Sequence, residues 1–385
     1  MRILQVIPHL KPFGVTNVCF QLSRELAKQN LEVTIVATDL GLTSEIATTI
    51  EDSPADTILF SCIADVSSFL VSPSMKKWLD KSMKDFDVVH MHDFRTYQNT
   101  ITHRYAKRYS IPYVVQAHGS MLEFVQRRTQ KRLYDLVWGH TIINDAAKFV
   151  ALAPVEREQY VKMGIKRDRI AIVPNGIDTN EYVNLPNKSE FRTRHAIDSD
   201  EKLVLFLGRL HRIKGVDLLI KAFAKLSEKM DRVKLVVAGP NMGALPQLKT
   251  LARELKLSDS VLFVGPLYGQ DKLEAYVDAD VFVLPSVYEI FPITVLEACA
   301  CGTPVIVSSA CGIADLVSEF GCVVERDADV LCDVMYRVLN NDTTRKDLGK
   351  KGRQFVAREL SWDRTVKRVE EIYRNVTARG SCTGG

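Results

Sequence analysis

Short runs of Val, Ile, Leu and Phe alternate with stretches of helical composition along the whole chain, and this alternation restricts the fold more than any other feature. A strand that passes through a helix before the next strand rejoins its sheet in the same direction, so the pattern specifies βαβ units and a mainly parallel sheet. Strands are expected at 3–7, 33–37, 88–91, 113–116, 150–152 and 170–173, with a second series at 203–207, 234–238, 261–264, 281–284, 305–307 and 322–324. Each series suffices for its own doubly wound α/β sheet, and 385 residues exceed what one core ordinarily supports. Two domains facing a cleft follow, 1–180 and 181–360. The boundary falls between Pro174 and Glu190, where Pro174-Asn175-Gly176-Ile177-Asp178 ends the first series and Asn184-Leu185-Pro186-Asn187 reads as a linker. A last helix at 361–379, with Ser361 as its N-cap, is expected to pack back on the first domain, and 380–385 to form a flexible tail.

Composition narrows the function. A net charge of +4 suits anionic ligands or an acidic membrane surface and is too weak for nucleic acid. No apolar run reaches the roughly 18 residues of a membrane helix, and residues 1–14 are too short and strand-like for a signal peptide, so a cytoplasmic protein is expected. The eight cysteines include no CxxC pair and read as reduced, mostly buried side chains.

Ligands of open α/β sheets bind beyond the carboxyl ends of the strands, so the strand-to-helix junctions are the places to search. Glu289 and Glu297 flank one junction, eight positions apart, the first in the loop after strand 281–284 and the second about a turn into the next helix. Gly208-Arg209-Leu210-His211-Arg212-Ile213-Lys214-Gly215 forms another. There a forked guanidinium at Arg209 and a point charge at Lys214 suit a diphosphate, against the alternative of a solvated basic loop. Gly14 opens a helix after the first strand, either as a phosphate-approaching turn or as a plain tight turn. The missing GxGxxG weakens a nicotinamide reading.

His118, ahead of Gly119 at the end of a strand, is either a ligand-facing group or a structural histidine. His90 and His92 share one strand face before Asp93, with no third strong metal ligand evident. The Asp-x-Asp triplets recur too often to specify magnesium, and Asp278-Ala279-Asp280 reads as a helix end. No metal and no cofactor are expected. Arg104, Lys107, Arg108, Arg127, Arg128, Lys131 and Arg132, followed by Leu133-Tyr134-Asp135-Leu136-Val137-Trp138, read either as an ordinary amphipathic surface or as a contact with an anionic membrane face.

Taken in order, these junctions resemble the retaining glycosyltransferases of family 4, whose GT-B fold has two Rossmann-like domains. The likeness runs through the glycine after the first strand, Asp87-Val88-Val89-His90-Met91-His92, Ala117-His118-Gly119, Pro174-Asn175-Gly176-Ile177-Asp178 and Gly208-Arg209-Leu210 with Lys214-Gly215. It continues through Val237-Ala238-Gly239, Phe263-Val264-Gly265 and Asp280-Val281-Phe282-Val283-Leu284-Pro285-Ser286. Glu289 with seven residues before Glu297, and Cys301-Gly302-Thr303-Pro304-Val305-Ile306, complete it.

The resemblance implies an N-terminal domain for the acceptor and a C-terminal domain for a nucleotide diphosphate sugar, expected to be UDP-linked. Arg209 and Lys214 would bind the diphosphate, Glu297 the ribose, and Glu289 the sugar hydroxyls. Val264 and Leu267 would hold the base, Ile293 and Thr294 would join the donor-binding residues, Gly14 would give a backbone donor, and His118 would lie beside sugar and phosphate. The implied reaction is metal-independent and retaining, passing a sugar to a saccharide or lipid-linked acceptor in surface polysaccharide or glycolipid synthesis. A 2-epimerase of UDP-sugars and a noncatalytic sugar-nucleotide binder are the rivals. Ile290 and Phe291-Pro292 stand where the family usually has Gly and Phe-Gly. Proline removes an amide hydrogen there, and Ile290 is expected to narrow the space beside Glu289.

Overall fold

The alternation closes into two separate parallel sheets. The computed structural model describes residues 1–11, 14–66, 69–121 and 128–381. The chain folds as two units, one of Met1–Asn175 rejoined by the chain from Trp362 onward, the other of Gly176–Ser361.

In the first unit the strands are β1 Arg2–Val6, β2 Glu32–Thr38, β3 Asp56–Phe60, β4 Ala64–Val66, β5 Phe69–Val71, β6 Val88–His92, β7 Tyr113–Gln116, β8 Lys148–Ala151 and β9 Ile170–Ile172. Seven form a parallel sheet in the order β3-β2-β1-β6-β7-β8-β9, while β4 and β5 pair antiparallel apart from it. Strands covered on both faces need apolar side chains throughout, and β6 and β7 are buried along their whole length. The sequence reading missed β3 because it is an edge strand that fully buries only Phe60, so it lacks a continuous apolar run.

The helix Trp362–Ser381 belongs to this unit. Trp362, Val366, Val369, Tyr373 and Val376 recur at three- and four-residue spacing, the period of one helix face, and are buried against the helix Val15–Lys28 and β6. Thr365 anchors its start by donating to the Pro174 carbonyl at 3.0 Å. The helix runs through Ser381, past the point where a tail was expected to begin; residues 382–385, Cys382 among them, lie outside the described residues.

The second unit holds β10 Lys202–Leu207, β11 Val233–Ala238, β12 Val261–Gly265, β13 Val281–Leu284, β14 Val305–Ser308 and β15 Cys322–Val324 in the order β12-β11-β10-β13-β14-β15, all parallel. Asp278 ends one helix and caps another: its carboxylate accepts from the Ser189 and Arg192 amides at 2.5 and 3.0 Å, at the start of the helix Glu190–Arg194. Asp280 pairs with Arg192 and Arg345 at 2.9 and 3.2 Å, so the triplet is architectural.

Strand order reverses between β1 and β6 in the first sheet and between β10 and β13 in the second. Loops leaving neighbouring strands in opposite directions open a crevice at each such point, and those two crevices hold the residues of interest.

Candidate active site

At the crevice of the second unit, the loop after β10 faces the loop after β13. A single turn of 3-10 helix, Arg212–Lys214, leads to Gly215, whose left-handed backbone (φ 68°) starts the helix Val216–Ser227. The Val287 amide donates to the Ile213 carbonyl at 2.8 Å and ties the two loops together. Lys214, only 8% exposed, pairs through its ammonium with the Glu289 carboxylate across the crevice. Gly312 donates to the Glu289 carbonyl at 2.7 Å, so the loop after β14 holds that backbone as well. Arg209 is exposed, and among the described residues no side chain pairs with its guanidinium. The arrangement offers one fixed cation, one free cation and a carboxylate to a ligand.

Glu297 lies on the helix Ile293–Ala300 and does not meet Glu289's partner. Its carboxylate accepts from the Lys272 ammonium at 2.7 Å and the Tyr276 hydroxyl at 2.9 Å, both from the helix Gly269–Asp278. Burial, reinforced by the Glu297 charge, pushes the Tyr276 hydroxyl well above its ordinary range and keeps it a donor. Lys272 and Tyr276 were missed in the sequence; their four-residue spacing marks one helix face but names no partner. Val264 on edge strand β12 and Leu267 in the following loop are both half-buried just ahead of that helix. Ile293 and Thr294 are the half-buried first residues of an eight-residue helix without a side-chain cap, which leaves backbone donors at its start. Ile290 and Phe291 are 5% and 6% exposed. Both side chains are thus buried in the protein interior, directly after Glu289 in the chain.

In the first unit Gly14 (φ 58°) starts the helix Val15–Lys28 with no side-chain cap, and a Cβ added there would meet nothing within 4 Å. The backbone angle, not crowding, requires glycine. Pro12 and Phe13 of the same loop lie outside the described residues.

His118 follows β7 in a left-handed conformation (φ 51°), as does Gly119 (φ 82°). Glu156 holds this turn by accepting from the Gly119 and Leu152 amides at 2.6 and 2.7 Å, and burial pushes its carboxyl up to about 7. Arg95 makes a bidentate, nearly buried pair with Asp135 at 2.9 and 2.7 Å and also donates to the Ser120 and Met121 carbonyls. His90 and His92 stack at 4.3 Å, and His92 stacks on His118 at 5.2 Å. Burial pushes His90 and His118 down to about 3 and His92 well below its ordinary value, so all three rings are neutral. Their nitrogens bond to one another and to Gln5 and Tyr373, and among the described residues no three His, Cys, Asp or Glu side chains group as a metal site.

Asp93, one residue past β6 at the crevice, also has positive φ (63°) and was weighed in the sequence only as a metal ligand. Burial raises its carboxyl to about 7 from 3.8. Below about pH 4 both folded and unfolded chains carry it protonated; between there and pH 7 the unfolded chain ionises first, so stability falls as pH rises and the penalty is complete above 7. Asp93→Asn removes the charge and tolerates the same backbone. The variant should match wild type near pH 3.5 and exceed it at pH 8 by about 2 kcal/mol, after discounting for partial exposure, in urea titrations at both pH values.

Two family models match in order along the chain: Glycosyltransferase Family 4 over residues 13–181 and Glycosyl transferases group 1 over residues 187–355. An uncharacterized glycosyltransferase of Methanocaldococcus jannaschii is 28% identical over 316 residues, 80% of each chain. The D-inositol 3-phosphate glycosyltransferase of Frankia alni is 28% identical over 398 residues, 94% of each chain. The crystal structure of Anabaena HepE in complex with UDP and glucose superposes with a TM-score of 0.83 at 17% identity, covering 97% of this chain and 100% of that one. Two parallel-sheet α/β units, matched in order by these models and by structures of the GT-B type, show that the chain belongs to glycosyltransferase family 4.

Proposed function

We propose that the protein transfers a sugar, with retention of anomeric configuration, from a UDP-sugar to a saccharide or lipid-linked acceptor in surface polysaccharide or glycolipid synthesis. The observation that carries this reading is the second unit's crevice, where Arg209, Lys214 and Glu289 come from loops on either side of the strand-order reversal. Cleaving the bond between anomeric carbon and phosphate places negative charge on the departing diphosphate. Arg209 and Lys214 supply positive charge there, and this reading assigns them the task a metal ion performs elsewhere. Glu289, held by Lys214, accepts from sugar hydroxyls. Glu297 receives the ribose through its remaining lone pairs, beside Val264 and Leu267 for the base and the amides of Ile293 and Thr294. Gly14 and His118 serve ligand binding within the first unit. The departing phosphate takes the acceptor's proton in a front-face attack.

A nucleotide bound to the folded state raises its stability by about 2.7 kcal/mol at a hundred times its Kd, so a thermal-shift screen reads donor choice directly. UDP and one UDP-sugar should raise Tm in wild type and not in Arg209→Ala. A response confined to another base, or to no nucleotide, would refute the reading. Release of free UDP only with acceptor present separates transfer from epimerisation and from simple binding.

The segment Arg128–Tyr134, its continuation Asp135–Gly139 and the helix His140–Asp145 favour a peripheral contact with an anionic membrane face, which would place the protein at the cytoplasmic side. Leu133, Leu136, Val137 and Trp138 are 62%, 75%, 50% and 40% exposed, a run of large apolar side chains on one surface segment. The basic residues contribute less than the sequence implied. Lys107 is paired with Asp145 and Arg108 with Asp80, while Arg127 lies outside the described residues. No described helix is long and apolar enough to cross a membrane. Vesicles containing phosphatidylglycerol should retain wild type in flotation and lose most of a Leu136→Ser/Trp138→Ser variant; equal retention would remove the membrane reading.

A further inference from the structure

In the loop that follows β6, Asp93-Phe94-Arg95-Thr96, every side chain is held by the protein except one. Phe94 is 4% exposed and packs in the core of the first unit. Arg95 directs its guanidinium to Asp135 and to the Ser120 and Met121 carbonyls. Thr96 caps the helix Tyr97–Arg108 and exchanges hydrogen bonds with Asn99 in a capping box. Asp93 is the exception. Among the described residues its carboxylate has neither a hydrogen bond nor an ion pair, although it is half-buried.

The demands of the turn do not account for this carboxylate. Asp93 and Arg95 both have left-handed backbones, φ 63° and 65°, a conformation that residues other than glycine adopt at a cost. Asparagine takes that conformation as readily as aspartate and would bring no charge into a half-buried place. The turn therefore explains a short polar side chain and leaves the charge unexplained. Position supplies the reason. Asp93 stands one residue beyond β6, where strand order reverses between β1 and β6, and ligands of open sheets enter at such a point. Partial exposure leaves the carboxylate within reach of a ligand, and its fixed neighbours hold the loop in place before anything binds.

We propose that Asp93 is a binding site for a neutral polyhydroxyl ligand, the acceptor saccharide, and accepts hydrogen bonds from its hydroxyls. A carboxylate has only lone pairs to offer and repels phosphate, so any anionic group of the acceptor, a diphosphate linkage included, lies away from it. Hydroxyl donors give the half-buried charge the partners that the protein withholds. Asp93 orients the acceptor and takes no proton from it. Naming the ligand an acceptor rests on the glycosyltransferase reading; the affinity for hydroxyls does not.

Aspartate labelled with carbon-13 at the side-chain carboxyl reads the site by NMR at pH 8, where the group is ionised. The Asp93 signal is the one missing from Asp93→Asn. Methyl glycosides of glucose, galactose, mannose and N-acetylglucosamine, with and without UDP, serve as probes. At least one should shift that signal. Its dissociation constant, followed by saturation transfer to the glycoside, should rise about tenfold or more in Asp93→Asn, the loss expected when a hydrogen bond to a charged group becomes one to a neutral group. The variant is expected to be the more stable protein at pH 8, so lost affinity does not reflect unfolding. No shift from any of the four glycosides, or equal affinity in the variant, overturns the proposal. A shift with methylammonium and no glycoside would make this a cation site and overturn the hydroxyl class, and a shift with inorganic phosphate would overturn the exclusion of anions. Failure of the glycosyltransferase reading shows separately, as absence of any nucleotide response in the thermal-shift screen.

Discussion

Lys214→Ala and Arg209→Ala should each lower kcat by about 10²–10³, the loss found when one well-aimed donor to a developing charge is removed, yet only the first should lose stability. Lys214 is buried against Glu289, so deleting it leaves a carboxylate with 19% side-chain exposure without its counter-charge. Breaking a buried pair from one side costs about 3–5 kcal/mol, and the lower end applies where the carboxylate retains some water. Arg209 is exposed and, among the described residues, has no side-chain partner to strand, so its variant should melt within about 0.5 kcal/mol of wild type. Glu289→Gln added to Lys214→Ala should restore much of the stability and none of the turnover. Urea titration beside steady-state kinetics checks all of this. Equal stability of the two single variants would mean that the Lys214–Glu289 pair contributes nothing to the fold, and full activity of either would remove that residue from the site.

These positions and their contacts were legible in the sequence to different depths. Gly208, Lys214, Gly215 and Glu289 could be picked out because a crevice needs close backbone approach and charge at the end of an apolar strand, which leaves a local signature. The partners of Glu297 left none. Lys272 and Tyr276 reach it because the helix before β13 packs against the helix after it, a consequence of strand order and not of any local pattern. The buried partners of His90 and His92 lay deeper still. Gln5 and Tyr373 are 368 positions apart, and an isolated glutamine in a strand or tyrosine in a helix has no distinguishing context. The edge strand β3 escaped for the opposite reason: its half-buried face made it look like loop. Local chemistry was readable wherever the backbone itself imposed it, while pairings set by tertiary packing needed the fold.

The same reasoning makes Gly215→Ala the strongest test of the crevice itself. Gly215 has φ of 68°, and a Cβ there would stand 2.2 Å from the Pro285 carbonyl oxygen, at the end of β13. The left-handed backbone alone costs alanine about 1–2 kcal/mol. The contact adds more because neither side can yield cheaply: Pro285 continues a central strand, and Gly215 begins a helix whose Leu219, Ile220 and Phe223 are fully buried. Separating the two loops would also pull Lys214 from Glu289 and Ile213 from Val287. Gly215→Ala should therefore lose at least about 3 kcal/mol of unfolding free energy, and the fraction that folds should turn over donor as poorly as Lys214→Ala. Gly14→Ala is the control, since it too has positive φ but meets nothing within 4 Å, and should pay backbone strain alone. Comparable losses in the two variants would show that backbone angle, not the closeness of the β10 and β13 loops, is what these glycines protect, and the crevice would then have slack that the Lys214–Glu289 pair must take up.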